Sequence, residues 1–85
     1  MMTRTTLDVM LGRGDEVRVG SRWIQQGIIV TVVKVEREDD VGEVTYKFTD
    51  KESLRRVFGP DSVEQMFGRT DTEDLDVFLK EFRPA

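Results

Sequence analysis

The run Ile28 to Val35, IIVTVVKV, constrains this chain more than any other stretch, because β-branched residues fill seven of its eight positions. Such side chains lose little by being extended and pack well on a pleated surface. A strand sends alternate side chains to opposite faces, so Ile29, Thr31, Val33 and Val35 share one side and Ile28, Val30 and Val32 the other. Both sets are mainly apolar, and polar residues return only at Lys34 and Glu36. A strand of this kind needs cover on two sides. The rest of the chain must therefore supply pairing partners and a further layer.

Partners lie on either side. Val17, Val19 and Trp23 fall on one face at period two, with Arg18 and Arg22 opposite, which predicts a first strand over about Glu16 to Ile24. Gln25-Gln26-Gly27 makes a short hairpin loop into the central strand, with glycine available for positive φ. Arg37 to Gly42, REDDVG, is a charged turn, after which Val44, Tyr46 and Phe48 alternate with Thr45 and Lys47 as a third strand. The expected product is a three-stranded antiparallel meander whose inner face carries Trp23, Val33, Val35, Tyr46 and Phe48. Residues 1–14 read as a flexible or marginal N-terminal segment, and 15–85 as one small β-rich domain with a helical C-terminal part.

Beyond Phe48 the period changes. Thr49 with Glu52, and Thr70 with Glu73, have capping-box spacing. Leu54, Val57 and Phe58 recur at helical intervals up to Gly59-Pro60, as do Val63, Met66 and Phe67 up to Gly68. Leu75, Phe78, Leu79 and Phe82 follow the same rule up to Pro84. Three short amphipathic helices are predicted, the first of which also fits a strand over 53–58. Helices this short gain stability by docking onto a sheet. The fold class expected is α+β, a small antiparallel barrel or half-barrel with short C-terminal helices plugging one end or layering one face; a homodimer closing over Ile28, Val30 and Val32 is the alternative source of cover.

Several segments together resemble a known kind of protein. A tryptophan strand after Val-Gly-Ser-Arg, a hairpin into TVVKV, the aromatic strand VTYKF and the ending LDVFLKEFRP are similar to small SH3-like barrel proteins encoded by phages, prophages and plasmids. The resemblance implies a barrel closed by a short helical turn whose aromatics plug it, with Trp23, Val33, Val35, Tyr46, Phe78 and Phe82 in the matching positions. It covers about half the chain and is a packing pattern without chemistry of its own. Lys51 to Gly68 departs from it, since such barrels commonly have a single strand there.

Composition narrows function by exclusion. The 85 residues include no histidine and no cysteine, which removes disulfides, thiolate chemistry, the usual zinc sites and the commonest general base. An enzyme would need paired carboxylates or a Ser/Lys arrangement and a cleft that excludes water, which a chain this short scarcely provides. No enzymatic activity and no cofactor are expected. The longest apolar run falls well short of the ~20 residues of a spanning helix, and Arg4 and Asp8 interrupt any secretory signal, so a cytoplasmic setting in a bacterial host is expected.

Charge is unevenly distributed. Residues 1–35 carry five basic and three acidic side chains, and residues 36–85 carry eight and fourteen. The acidic half disfavours general affinity for polyphosphate. The turn residues Glu36, Glu38, Asp39, Asp40 and Glu43 lack the ligand register of a calcium loop, so no metal is assigned to them. A solvated hairpin explains them blandly, and Asp71, Glu73, Asp74 and Asp76 suit a helix N-terminus. Taken as function, the acidic turn, with Arg55, Arg56 and Glu64 in the 51–68 insertion, makes a partner-binding surface. The expected role is that of a non-enzymatic mobile-element protein that binds and inhibits or redirects a host protein, such as a nuclease or defence complex, of anti-CRISPR or anti-restriction type. A nucleic-acid-binding barrel using Arg18, Arg22, Lys51, Arg55 and Arg56, or a homo-oligomeric assembly subunit, is the alternative.

Overall fold

The computed structural model describes residues 16–38 and 41–85. The expected N-terminal segment 1–14 lies outside them. The central run becomes the long strand β2 (Ile28–Glu38), flanked by β1 (Arg22–Gln25) and β3 (Val41–Phe48). After β3 come helix α1 (Lys51–Phe58), a 3₁₀ turn (Pro60–Ser62), the single-turn helix α2 (Val63–Met66) and strand β4 (Thr70–Asp74). Helix α3 (Leu75–Glu81) and the two-residue strand β5 (Arg83–Pro84) close the chain. All strand pairs are antiparallel and the order is β4-β3-β2-β1-β5, an open five-stranded sheet in an α+β fold.

The expected meander is present, with changed boundaries. β1 begins only at Arg22 because the preceding residues turn: Ser21 N–H donates to the Arg18 carbonyl at 2.9 Å, and Gly20 takes φ 92. That turn buries Val17 but leaves Val19 outside, 69% exposed, so the two do not share the face predicted for them. The β1–β2 loop is the two-residue turn Gln26-Gly27, both with positive φ (50 and 84), the mirror-image geometry that suits the twist of a hairpin.

One residue reverses the predicted inner face of β2. Register runs Val30↔Phe48 and Val32↔Tyr46, then Lys34↔Thr45 and Val35↔Val44, so Val33 is an extra residue in a β-bulge. Residues directly opposite share a face. Val30, Val32 and Val35 therefore lie on the side of Val44, Tyr46 and Phe48, while Val33, expected in the core, is 39% exposed. Ile28, Val30 and Val32, for which a homodimer is the alternative cover, lie on this same face: Val30 and Val32 belong to the main core and Ile28 packs against it.

Helix α3 lays Leu75, Phe78 and Leu79 on this face, and Phe82 follows. Together with Val17, Trp23, Val30, Val32, Val44 and Tyr46 they form the main core. Phe78 and Phe82 stack at 4.3 Å between ring centroids, Trp23 meets Phe78 edge-on at 5.2 Å, and Tyr46 lies 5.0 Å from Phe82. Burying each such ring is worth about 1.5–3 kcal/mol, and an aromatic pair adds about 0.5–1.5 kcal/mol. The indole N–H of Trp23 is satisfied by Ser21 Oγ at 3.0 Å. Pro84 sits on the terminal strand opposite Trp23, where a missing donor costs the sheet nothing.

The predicted first helix is α1, which excludes the alternative strand over 53–58. Its cap is Asp50, one residue beyond the expected Thr49, with its carboxylate accepting from Ser53 N–H at 3.0 Å. Ser53 is fully buried; its hydroxyl accepts from Ile29 N–H at 3.1 Å and donates to the Asp50 carbonyl at 3.1 Å, tying α1 to β2. The excursion from Thr49 to Gly68 is closed at its base, where Phe48 N–H bonds the Arg69 carbonyl at 2.9 Å and Gly68 N–H bonds the Phe48 carbonyl at 2.8 Å. The larger correction is Thr70–Asp74, read as a helix start but paired with β3 as an edge strand. Helix α3 consequently starts at Leu75, and of the four carboxylates assigned to its N-terminus only Asp76 lies in its first turn.

Candidate functional site

Beyond β1 the β2–β3 hairpin continues as a ribbon. Glu36 is directly opposite Glu43, and Glu43 is directly opposite Asp74 on β4. Three carboxylates thus lie in one row across three strands, on the face away from α3. Like charges opposite one another destabilise a sheet. Lys34 relieves one end, its Nζ lying 2.6 Å from Glu36 Oε1. That hydrogen bond first, then the charges of Glu36 and Glu43, raises the lysine above its ordinary range. Glu38 is opposite Val41 nearer the tip, and Asp39 and Asp40 lie outside the described residues.

The other predicted contacts are elsewhere. Arg55 and Arg56 are exposed on α1 and Glu64 is exposed on α2, beyond the opposite end of β3. Strand β3 has eight residues, and the steps between them, at roughly 3.3 Å apiece, put roughly 23 Å between the hairpin tip and the start of that excursion. The two halves of the predicted surface are not one patch. Among the cations offered for nucleic acid, Arg22 lies 3.9 Å from Asp50, and the Lys51 ammonium sits 4.7 Å from the centre of the Phe67 ring.

Reading the sequence missed a cleft on the α3 side of the sheet. Its volume is about 310 Å³. Ile28, Val30, Phe48, Phe58 and Phe82 give it apolar walls, the Gln25 and Gln26 amides lie at one side, and Tyr46, Asp71 and Glu73 line the other. The strand register explains the acidic wall, since Asp71 is opposite Tyr46 and Glu73 opposite Val44, which turns both carboxylates toward the core face. Period two in Thr70-Asp71-Thr72-Glu73 was the available signal, with Thr72 pairing Thr45 through their hydroxyls at 2.9 Å on the other face.

Burial raises Glu73 above the ordinary carboxylate range, assisted by the neighbouring Glu81, Asp71 and Asp74 carboxylates and by a hydrogen bond with Glu81. Glu73 Oε2 is buried without a hydrogen-bond partner. Burial, followed by the charges of Glu73 and Asp71, also raises the Tyr46 phenol, which stays protonated and donates to Asp71 Oδ2 at 3.4 Å. The cleft thus offers carboxylates and aromatic surface to a cation. Among the described residues no group of three or more His, Cys, Asp or Glu side chains is placed to hold a metal, and no helix is long and apolar enough to cross a membrane.

Comparison with known protein families, with curated proteins and with solved structures finds no match to the chain.

Proposed function

We propose that this protein is a non-enzymatic interaction module that binds a basic face of a host protein and inhibits or redirects it, in the manner of mobile-element proteins directed at nucleases or defence complexes. The observation that carries this reading is the Glu36–Glu43–Asp74 row. A sheet that only had to fold would alternate charges there, whereas these three repel and gain by meeting a partner's lysines and arginines. Departures from local consistency concentrate where a surface serves function. The SH3-like reading belongs to the same proposal. It is supported by the return of β5 to β1 after a meander, and by the helical turn that sets Phe78 and Phe82 under the sheet.

The test is capture of partners by the tagged full chain from bacterial lysate, with and without nuclease, alongside a Glu36→Gln/Glu43→Gln/Asp74→Asn variant. One stoichiometric protein that survives nuclease and is lost with the variant is the expected result. Recovery abolished by nuclease would replace this reading with nucleic-acid binding, and recovery of the chain alone would replace it with self-assembly.

A further inference from the structure

We propose that the cleft walled by Phe48, Phe58, Tyr46, Asp71 and Glu73 receives a single arginine side chain presented by the protein partner. This inference rests on the reading of the chain as a protein-binding module and names what that partner must offer. At about 310 Å³ the cleft lies at the small end of ligand pockets, which suits one long side chain better than a nucleotide or large cofactor. Its acidic wall repels phosphates and free carboxylates. Its apolar walls would exclude a small hydrated ion, and no metal-ligand set is present among the described residues.

An arginine satisfies both kinds of surface. Its methylene stem covers Ile28 and Val30, and its flat guanidinium can lie against an aromatic ring while donating in its plane to carboxylates. Glu73 Oε2 is buried without a hydrogen-bond partner, and the neighbouring groups that act electrostatically on Glu73 are themselves carboxylates. Tyr46 donates to Asp71 Oδ2 and Thr72 N–H to Asp71 Oδ1, which leaves each oxygen of that carboxylate with a further lone pair to accept. The arrangement is on the opposite face from the Glu36–Glu43–Asp74 row, so one partner loop reaching around the β4 edge would engage both.

The experiment is titration of the ¹⁵N-labelled full chain with acetyl-Gly-Arg-Gly-amide, followed by amide chemical shifts. The same peptide with citrulline and with lysine in place of arginine, and the variants Asp71→Asn, Glu73→Gln and Glu36→Gln/Glu43→Gln/Asp74→Asn, complete the set. The expected result is saturable shifts centred on Gln25, Phe48 and Glu73 that weaken about tenfold or more with Asp71→Asn or Glu73→Gln and survive the row variant. The spectra show directly that each variant is folded. Equal binding of the citrulline peptide, shifts confined to the hairpin row, or no localised response would overturn the assignment. A lysine peptide that binds as tightly would overturn the guanidinium, and shifts that follow protein concentration alone would put a second copy in the cleft. Partner capture that fails while the peptide still titrates the cleft overturns the broader reading and leaves the cleft's preference standing.

Discussion

Replacing Glu43 by glutamine removes one charge from the middle of the Glu36–Glu43–Asp74 row and measures the repulsion held in the native sheet. Two direct like-charge contacts are relieved at once, because Glu43 is opposite Glu36 on one side and Asp74 on the other. Cross-strand pairs are worth roughly 0.2–1 kcal/mol each. Part of the gain is forfeited, since Glu43 also attracts Lys34. The net expectation is a stabilisation of about 1 kcal/mol, which for a domain of this size raises Tm by about 4–8 °C. Thermal unfolding at low salt and again near ~1 M salt is the assay, because screening at ~3 Å should remove most of the difference. An unchanged or lowered Tm at low salt would refute the reasoning. So would a gain that persists undiminished in salt, which would assign the effect to strand propensity. The same substitution should weaken partner capture, so stability and binding move in opposite directions.

Phe78→Ala should cost about 3–5 kcal/mol by emptying the space between Trp23, Tyr46 and Phe82, read as a collapse of the urea midpoint; a loss below about 1 kcal/mol would contradict the assignment of the core. Gln26→Asn should stabilise by about 0.5 kcal/mol, because asparagine tolerates the positive φ that glutamine holds there, and an unchanged midpoint would remove that account of the turn. Glu73→Gln bears on pH. Burial raises the folded-state carboxyl above its unfolded value, so its contribution to stability is complete in acid and is lost as pH rises through the raised titration. Asp71, Asp74 and Glu81 face the same group, beside the protonated Tyr46. The glutamine variant should therefore gain on the parent as pH rises from about 4 to 8 in urea unfolding, and parallel curves would refute the shift.

Much of the fold was legible because it follows local rules. Alternation marked β3, the Gln25-Gln26-Gly27 stretch marked the hairpin, and Leu75, Phe78, Leu79 and Phe82 marked the helix that covers the sheet. The inner face of β2 was not legible. In a run where nearly every residue is β-branched, either parity looks apolar, and only the partner strand reveals that Val33 is surplus. Strand β4 was hidden for a different reason. Thr70-Asp71-Thr72-Glu73-Asp74 has no apolar residue and the spacing of a helix cap, and its extended form depends on the open edge of β3. That misreading also concealed the cleft, since Asp71 and Glu73 reach it only from a strand. The hairpin carboxylates were visible as charge, but their alignment with Asp74 needed the register.

The bulge at Val33 separates two properties that ordinarily change together. It lies between the part of β2 that pairs with β1 and the ribbon that carries Glu36 and Glu43. Because the ladder resumes in step on either side, a chain lacking Val33 would have the same cross-strand partners and the same charges. What it would lose is the local bend and added twist that a bulge imparts. The direction in which the acidic ribbon leaves the domain is thus written in one residue and its chemistry in others, so evolution or design can re-aim the hairpin without altering what it presents.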